Sequence, residues 1–241
     1  MITKILLKDQ TTGKNILWAN AEYGAKEIQL EDVEKILPRW QKLREHQKQR
    51  TRDRAEIFTP PDICKLQNDL IYSDEKTFEG YIDAKFLEIT CGEAPYLVNR
   101  YNAVTGEPIE FEERFGLLDR KLKLIKKEKS APADFMYCTR RAVQSVYGYD
   151  FQGDNLFLAR QNVFKTVEEF LMGKIPSREL KIFLIEIAEI ISWNLWQMDG
   201  LTCSPPFQEN KNLFGGANCL IMNWTTEKPV EFITLTKGAR R

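Results

Sequence analysis

The sequence predicts an α/β fold with a mostly parallel central sheet flanked by helices, and three segments carry that expectation. Residues 86–92 begin as an apolar strand pattern, Phe86-Leu87-Glu88-Ile89, which passes through an acid into a turn containing Gly92. Residues 145–150 repeat the form, ending in Asp150 and leading into a helical pattern from Asn155, and residues 193–199 repeat it again, ending in Asp199. Ligands of open α/β sheets lie outside the carboxyl ends of the strands. Acids and a glycine at those ends therefore mark a place where a nucleoside can be held.

The remaining elements follow from periodicity and turn chemistry. Residues 1–20 read as a hairpin, with apolar arms at 5–7 and 16–18 around the turn at 11–14. Residues 31–56 read as a basic helix, so that 1–56 form an appendage to a domain spanning 57–241. In that domain Thr59-Pro60-Pro61 is the expected entrance to a helix at 61–72, since proline suits the first helical turn. Further helices are expected near 154–172 and 177–192, and strands near 85–90, 145–150, 193–198, 218–223 and 230–236. Between the first two strands, residues 99–141 read as an insertion with turns at 105–108 and 130–132.

Composition narrows the class. The 241 residues are 43% hydrophobic, enough for a sizeable core. The longest apolar run, near 182–196, is broken by Glu186 and Glu189 and reads as a core helix followed by a strand, not a membrane span. The first residues open into a strand pattern without the form of a signal peptide. Five cysteines without a paired CxxC spacing imply reduced thiols, a cytoplasmic setting and no metal site. The single histidine, His46, lies in a highly charged stretch, which argues for a solvated side chain and against histidine-based catalysis. Lys plus Arg equals Asp plus Glu, 35 of each, so net charge does not favour a polyanion. The distribution does: Arg44, Lys48, Arg50, Arg52 and Arg54 follow Arg39 and Trp40 in one run, and these five are the expected phosphate contacts if nucleic acid binds. A second basic run spans 120–127.

Taken in order, these motifs resemble the S-adenosylmethionine-dependent adenine-N6 DNA methyltransferases, including short proteins described as modification subunits of restriction systems. Phe58-Thr59-Pro60 resembles the family's N-terminal cofactor motif. Glu88, Thr90, Cys91, Gly92 and Leu97 lie in the counterpart of its first strand and loop, Asp150 and Phe151 in that of the ribose-binding acid, and Asp199 in that of the acid receiving the adenine amino group. The resemblance implies a Rossmann-like fold, S-adenosylmethionine as cofactor, and DNA as partner. With seventeen residues after Trp224, it also implies a sheet incomplete at the C-terminal end. In the place of the family's catalytic motif stand Asn223 and Trp224, an amide acceptor for the target amine and a ring to stack on the extruded base. The two prolines and the final aromatic of that motif are absent, and Glu93-Ala94 replaces its small residues.

The chemistry suits the residue types. Carboxylates accept charge-assisted hydrogen bonds from ribose hydroxyls and an exocyclic amine. Glu88 and the rings of Phe58 and Tyr96 would favour a sulfonium cation. The first expectation is methyl transfer to the N6 amino group of adenine in DNA, with a restriction or specificity subunit or a second copy supplying sequence recognition. The alternative is a methyltransferase-like protein without activity that binds cofactor, nucleic acid or a partner protein. A third is methylation of RNA or protein.

Overall fold

The computed structural model describes residues 1–20, 22–54, 59–71, 77–207 and 218–238. At its centre three parallel strands lie in the order β1 (Phe86–Ile89), β2 (Val146–Asp150), β3 (Leu195–Gln197). Phe86 pairs with Val146 and Gly148 with Leu195, which sets the register. Gly148 is required where it stands: a Cβ would sit 2.9 Å from the Cys91 Cβ and 3.0 Å from a Leu195 methyl. The fold is mixed α/β, with the sheet flanked by helices, as the sequence predicts.

Two crossovers build the helical layer. Helices α5 (Leu117–Glu128) and α6 (Pro132–Gln144) join β1 to β2, and α7 (Gly153–Leu171) and α8 (Ser177–Asn194) join β2 to β3. Both crossovers step in the same direction across the sheet, so the right-handed rule puts all four helices on one face. The core agrees: Val146 and Leu195 on that face pack into one buried cluster with Leu118, Leu122, Ala142, Leu156, Phe157 and Ile187. Residues 99–141 are thus no loose insertion. They supply α5, whose Leu118, Leu122 and Ile125 recur at helical spacing and are all buried, and most of α6.

Several elements differ from expectation for physical reasons. The first arm of the N-terminal hairpin is instead helix α1 (Ile2–Leu7). Adjacent Leu6 and Leu7 are both buried, which one face of a strand cannot achieve and a helix against α8 can. The turn itself is present, closed by Asp9 N–H to Lys14 O at 2.7 Å and Ile16 N–H to Leu7 O at 2.8 Å. The expected helix at 31–56 is two 3-10 turns, Leu30–Lys35 and Arg39–Gln41, then α2 (Arg44–Arg54). Pro38 between the turns lacks the N–H that continuation needs. Helix α3 (Pro61–Leu70) starts on its proline as predicted, and α4 (Phe78–Asp83) precedes β1. Helix α8 continues to Asn194, so β3 begins two residues later than expected.

The C-terminal strands also depart. Strand β4 (Leu220–Asn223) pairs antiparallel with β5 (Lys228–Glu231) in a separate two-stranded sheet, and α9 (Phe232–Gly238) takes over where the strand was expected to run on. A parallel return needs a long crossover. Here an Asp199–Ser204 bridge reverses the chain just after β3, and Cys219, just before β4, donates its N–H to Cys203 O at 2.9 Å. The hairpin and α9 cover part of the sheet's other face, where Tyr149, Trp196, Met198, Cys219, Ile221 and Phe232 form a second, smaller core. Among the described residues no helix is long and apolar enough to cross a membrane.

Residues 1–36 are built into the main core through Leu6, Leu7, Ile16, Trp18, Ile28 and Ile36. Arg160 of α7 makes the join. Wholly buried, it donates to Leu6 O (2.6 Å), Lys8 O (2.8 Å), Leu195 O (2.8 Å) and Ser192 O (3.2 Å), tying α1, α8 and β3 together. Burial holds its pKa down to about 10, with the Asp9 charge acting the other way. Arg160→Met should therefore cost about 3–5 kcal/mol in urea unfolding, because buried carbonyls lose their donors. Arg160→Lys should recover only part of that, since an ammonium cannot reproduce the planar fork.

Lys121 is a second buried cation. Its ammonium lies among Ile82 O, Ala84 O and Ser145 Oγ, 4.8 Å from the centre of the Phe86 ring. Burial pushes its pKa down to about 7. Between that value and the unfolded lysine value the unfolded chain binds the extra proton, so stability contributed through this group rises with pH from about 7 towards 10. Urea midpoints of wild type and Lys121→Met across this window should show the rise only in the wild type.

Candidate functional site

The carboxyl end of the sheet gathers part of the sequence-predicted cofactor set. Glu88 is buried on the helical face of β1 and accepts from Tyr96 N–H (3.3 Å) and Leu97 N–H (3.2 Å), folding the loop after β1 around its own carboxylate. Burial pushes its pKa well up, the two backbone bonds draw it back, and the charge of Asp150 adds to the rise. Asp150, at the end of β2, accepts from Gly92 N–H (2.9 Å) and from Gln152 N–H (2.8 Å). Beside them Thr59 lies near the Tyr96 side chain and takes the Cys64 thiol on its carbonyl, while Pro60 stands at the N-cap of α3. Glu88, Gly92, Asp150 and Thr59 are thus brought to one end of the sheet. Thr90 stands exposed at the same end. Phe58 lies outside the described residues.

The same edge is already filled by the chain. Gly153, first in α7, faces Leu17 so closely that a Cβ would lie 1.9 Å from Leu17 O, and its N–H donates to Trp18 O at 3.2 Å. Gln197 at the end of β3 completes the seal. Its carboxamide accepts from Leu17 N–H (2.7 Å) and donates to Leu17 O and Phe151 O (both 2.8 Å), pairing with residue 17 as a further strand would. Phe151 packs edge-on against Phe207. Asp199 accepts from Leu201 N–H (2.8 Å) and caps a turn. Glu93 holds Arg39 N–H (2.7 Å) and the Tyr101 hydroxyl.

An adenosine would need these carboxylates and the N-terminus of α7. Each of Glu88 and Asp150 gives two of its acceptor sites to backbone N–H donors, and residues 17–18 lie against the start of α7.

Asn223 and Trp224 lie at the opposite end. Trp224 Nε1 donates to Asn194 Oδ1 (2.7 Å), and Asn194 in turn donates to Val143 O (2.9 Å) and Val146 O (3.0 Å), at the start of β2. Asn223 Oδ1 accepts from Thr225 N–H (3.0 Å) and Thr226 N–H (3.3 Å), closing the turn between β4 and β5. β4 runs back along the sheet, so its end is separated from Asp150 by the length of β2, roughly 13 Å. The pair expected to act on a target base and the acids expected to hold the cofactor are not brought together.

The basic run divides. Arg44, Lys48 and Arg52, at i, i+4 and i+8 of α2, share one face, and with Arg39, Gln47 and Thr51 they line an open groove of about 420 Å³. Gln47 fixes its shape by donating to Arg39 O (2.9 Å) and Lys42 O (2.8 Å). Arg50 points to the other side, making a bidentate contact with Asp154 (2.7 and 3.1 Å) and reaching Asn155 Oδ1 at 3.2 Å; Lys42 reaches Asp154 at 3.3 Å. Burial pushes the Asp154 carboxyl up, but the two cations more than offset it and hold it below the usual carboxylate value. Arg50 is therefore engaged with a buried carboxylate away from the groove; the side chain of Arg54 lies outside the described residues.

Gln47 and Thr51 were missed as groove residues, since neither carries a charge that would mark it within the cationic run. Gln197 was missed too, although a carboxamide inside the apolar strand 195–198 was its signal.

No protein-family model, curated protein or solved structure matches the chain.

Arg50→Ala should lower stability by about 2–3 kcal/mol in urea unfolding by stranding a buried carboxylate, with Lys42 limiting the loss. It should leave any affinity for anions in the α2 groove unchanged.

Proposed function

We propose that this chain is a methyltransferase-like α/β protein that acts by binding nucleic-acid phosphates in the α2 groove, without methyl transfer at Asn223 and Trp224. The observation that carries the reading is the groove itself, in which Arg39, Arg44, Lys48 and Arg52 converge on one open surface of a chain whose net charge is zero. Clustered cations of this kind bind phosphates by releasing counterions, without any basic excess over the whole chain. The relation to the methyltransferases rests on the order of Thr59-Pro60, Glu88, Asp150 and Asp199 along the chain. The non-catalytic reading is supported by the separation of Asn223 and Trp224 from those acids. Amine methylation needs acceptor, base and methyl donor held within bonding reach, and a strand's length between them speaks against it.

The expectation is tested by fluorescence anisotropy with labelled duplex and single-stranded DNA across salt concentrations. Binding should weaken with a log–log salt slope of about −2.7 to −3.6 on duplex and about −2.1 to −2.8 on single strands, as expected for three or four phosphate contacts. Joint charge reversal at Arg44, Lys48 and Arg52, three exposed positions, should abolish it while the circular dichroism spectrum stays unchanged. Affinity unaffected by the reversal would overturn the assignment. So would transfer of labelled methyl from S-adenosylmethionine to adenine that Asn223→Ala eliminates.

A further inference from the structure

The two edges of the parallel sheet are finished differently. At β3 the outward Leu195 carbonyl is taken by Arg160, the Gln197 carbonyl by the Cys219 thiol (3.4 Å), and the Gln197 side chain is paired with Leu17. At β1 nothing comparable occurs among the described residues: β1 pairs with β2 alone. Phe86 N–H bonds Ser145 O, so residues 86 and 88 turn their backbone groups to β2, while Leu87 and Ile89 present theirs outward. The outer face is unfinished on the same side. Leu87 and Ile89 share the face of Tyr149 and Trp196, but β4, β5 and α9 cover only the far part of it. Leu87 is 41% and Ile89 65% exposed, next to a half-buried Tyr147. Parallel sheets are ordinarily covered on both faces, and an exposed edge of apolar residues is a template for another strand.

We propose that the outer edge of β1 pairs antiparallel with β1 of a second copy, making a two-fold symmetric dimer with one continuous six-stranded sheet. Of the registers that satisfy both the outward backbone groups and the two-fold axis, those with the fullest overlap of the two β1 strands are centred on Glu88 or on Leu87. One centred on Glu88 sets two buried carboxylates directly opposite each other, which is unfavourable. One centred on Leu87 sets Leu87 against the second copy's Leu87, Ile89 against the stem of the second copy's Lys85, and Phe86 against the second copy's Glu88, with no like charges opposed. A self-matching edge explains a second copy better than a foreign peptide, which would need side-chain pockets along the edge for its alternate residues. The area sets the strength. A four-residue edge with Leu87, Ile89 and Tyr147 covers on the order of 400 Å² per copy, about half of what a standard stable interface uses, so the dimer is weak and concentration-dependent. This surface is independent of the α2 groove.

The test combines sedimentation and crosslinking on the full chain. Average mass should rise from monomer towards dimer as concentration reaches about 100 μM, the range expected for a small interface. Leu87→Lys, at an exposed side chain, should hold the protein monomeric with an unchanged unfolding midpoint. Opposed residues of a hydrogen-bonded antiparallel pair have Cα atoms about 5.5 Å apart, within disulfide reach. Leu87→Cys, made with Cys203→Ser because Cys203 is the one native thiol not classed as buried, should therefore form a disulfide-linked dimer under mild oxidation. Ile89→Cys in the same background should crosslink at least tenfold more slowly. A monomeric mass at every concentration, or equal crosslinking at both positions, would overturn the proposal.

Discussion

The Arg160 guanidinium is the contact on which most of the architecture depends. A charge without a paired carboxylate is costly to bury, and Arg160 is tolerated because four carbonyls from separate segments converge on it. Each carbonyl would otherwise be an unsatisfied acceptor in an apolar core, at the end of α1, along α8 or on the rim of β3. One planar group therefore settles three termini at once. It also explains why the N-terminal residues belong to the core: without α1 and the turn after it, two of the four acceptors would be missing.

Closure at that side of the molecule has consequences for chemistry. The carboxyl ends of β1 and β2 carry the acids and glycine that the sequence marks for a ligand, and the polar groups there also make internal hydrogen bonds. Glu88 shapes its own loop, Asp150 ties that loop to the start of α7, and Gln197 binds residue 17. A carboxylate that accepts two backbone N–H bonds serves as a structural clamp, because rearranging it to meet a ligand would expose those donors. The same residue types thus serve a ligand or a fold depending on what the chain brings against them.

Legibility in the sequence followed the range of the interaction. The three parallel strands, the proline-led start of α3 and the long amphipathic helices α7 and α8 were readable, because strand alternation and helical spacing are local signals. The acids at the strand ends were readable as a group for the same reason. What was not readable depends on contacts distant along the chain. A short apolar arm such as Ile5-Leu6-Leu7 cannot be told from a short helix until a partner such as α8 is known, and α1 became a helix by packing on it. Asn223 and Trp224 fitted a motif by position, but Trp224 is held at the other end of the sheet by Asn194, thirty residues away, a contact that the residues of β4 do not announce. Arg50 looked equivalent to Arg44, Lys48 and Arg52; only the position of Asp154, more than a hundred residues away, distinguishes it.

Charge and packing then point to separate uses for separate surfaces. A neutral chain that carries a cationic groove holds the balancing acids elsewhere, and the set of Asp154 with Arg50 and Lys42, two cations to one carboxylate, is buried apart from the groove. That set anchors α2 to the N-terminus of α7 on one side and so leaves the opposite side of the helix, where Arg44, Lys48 and Arg52 stand, facing solvent. The ion pair that fixes the helix and the groove that the helix presents are two faces of one amphipathic arrangement of charge. Its orientation follows from the spacing of basic residues: those four apart line the groove, and the one out of step with them meets the carboxylate.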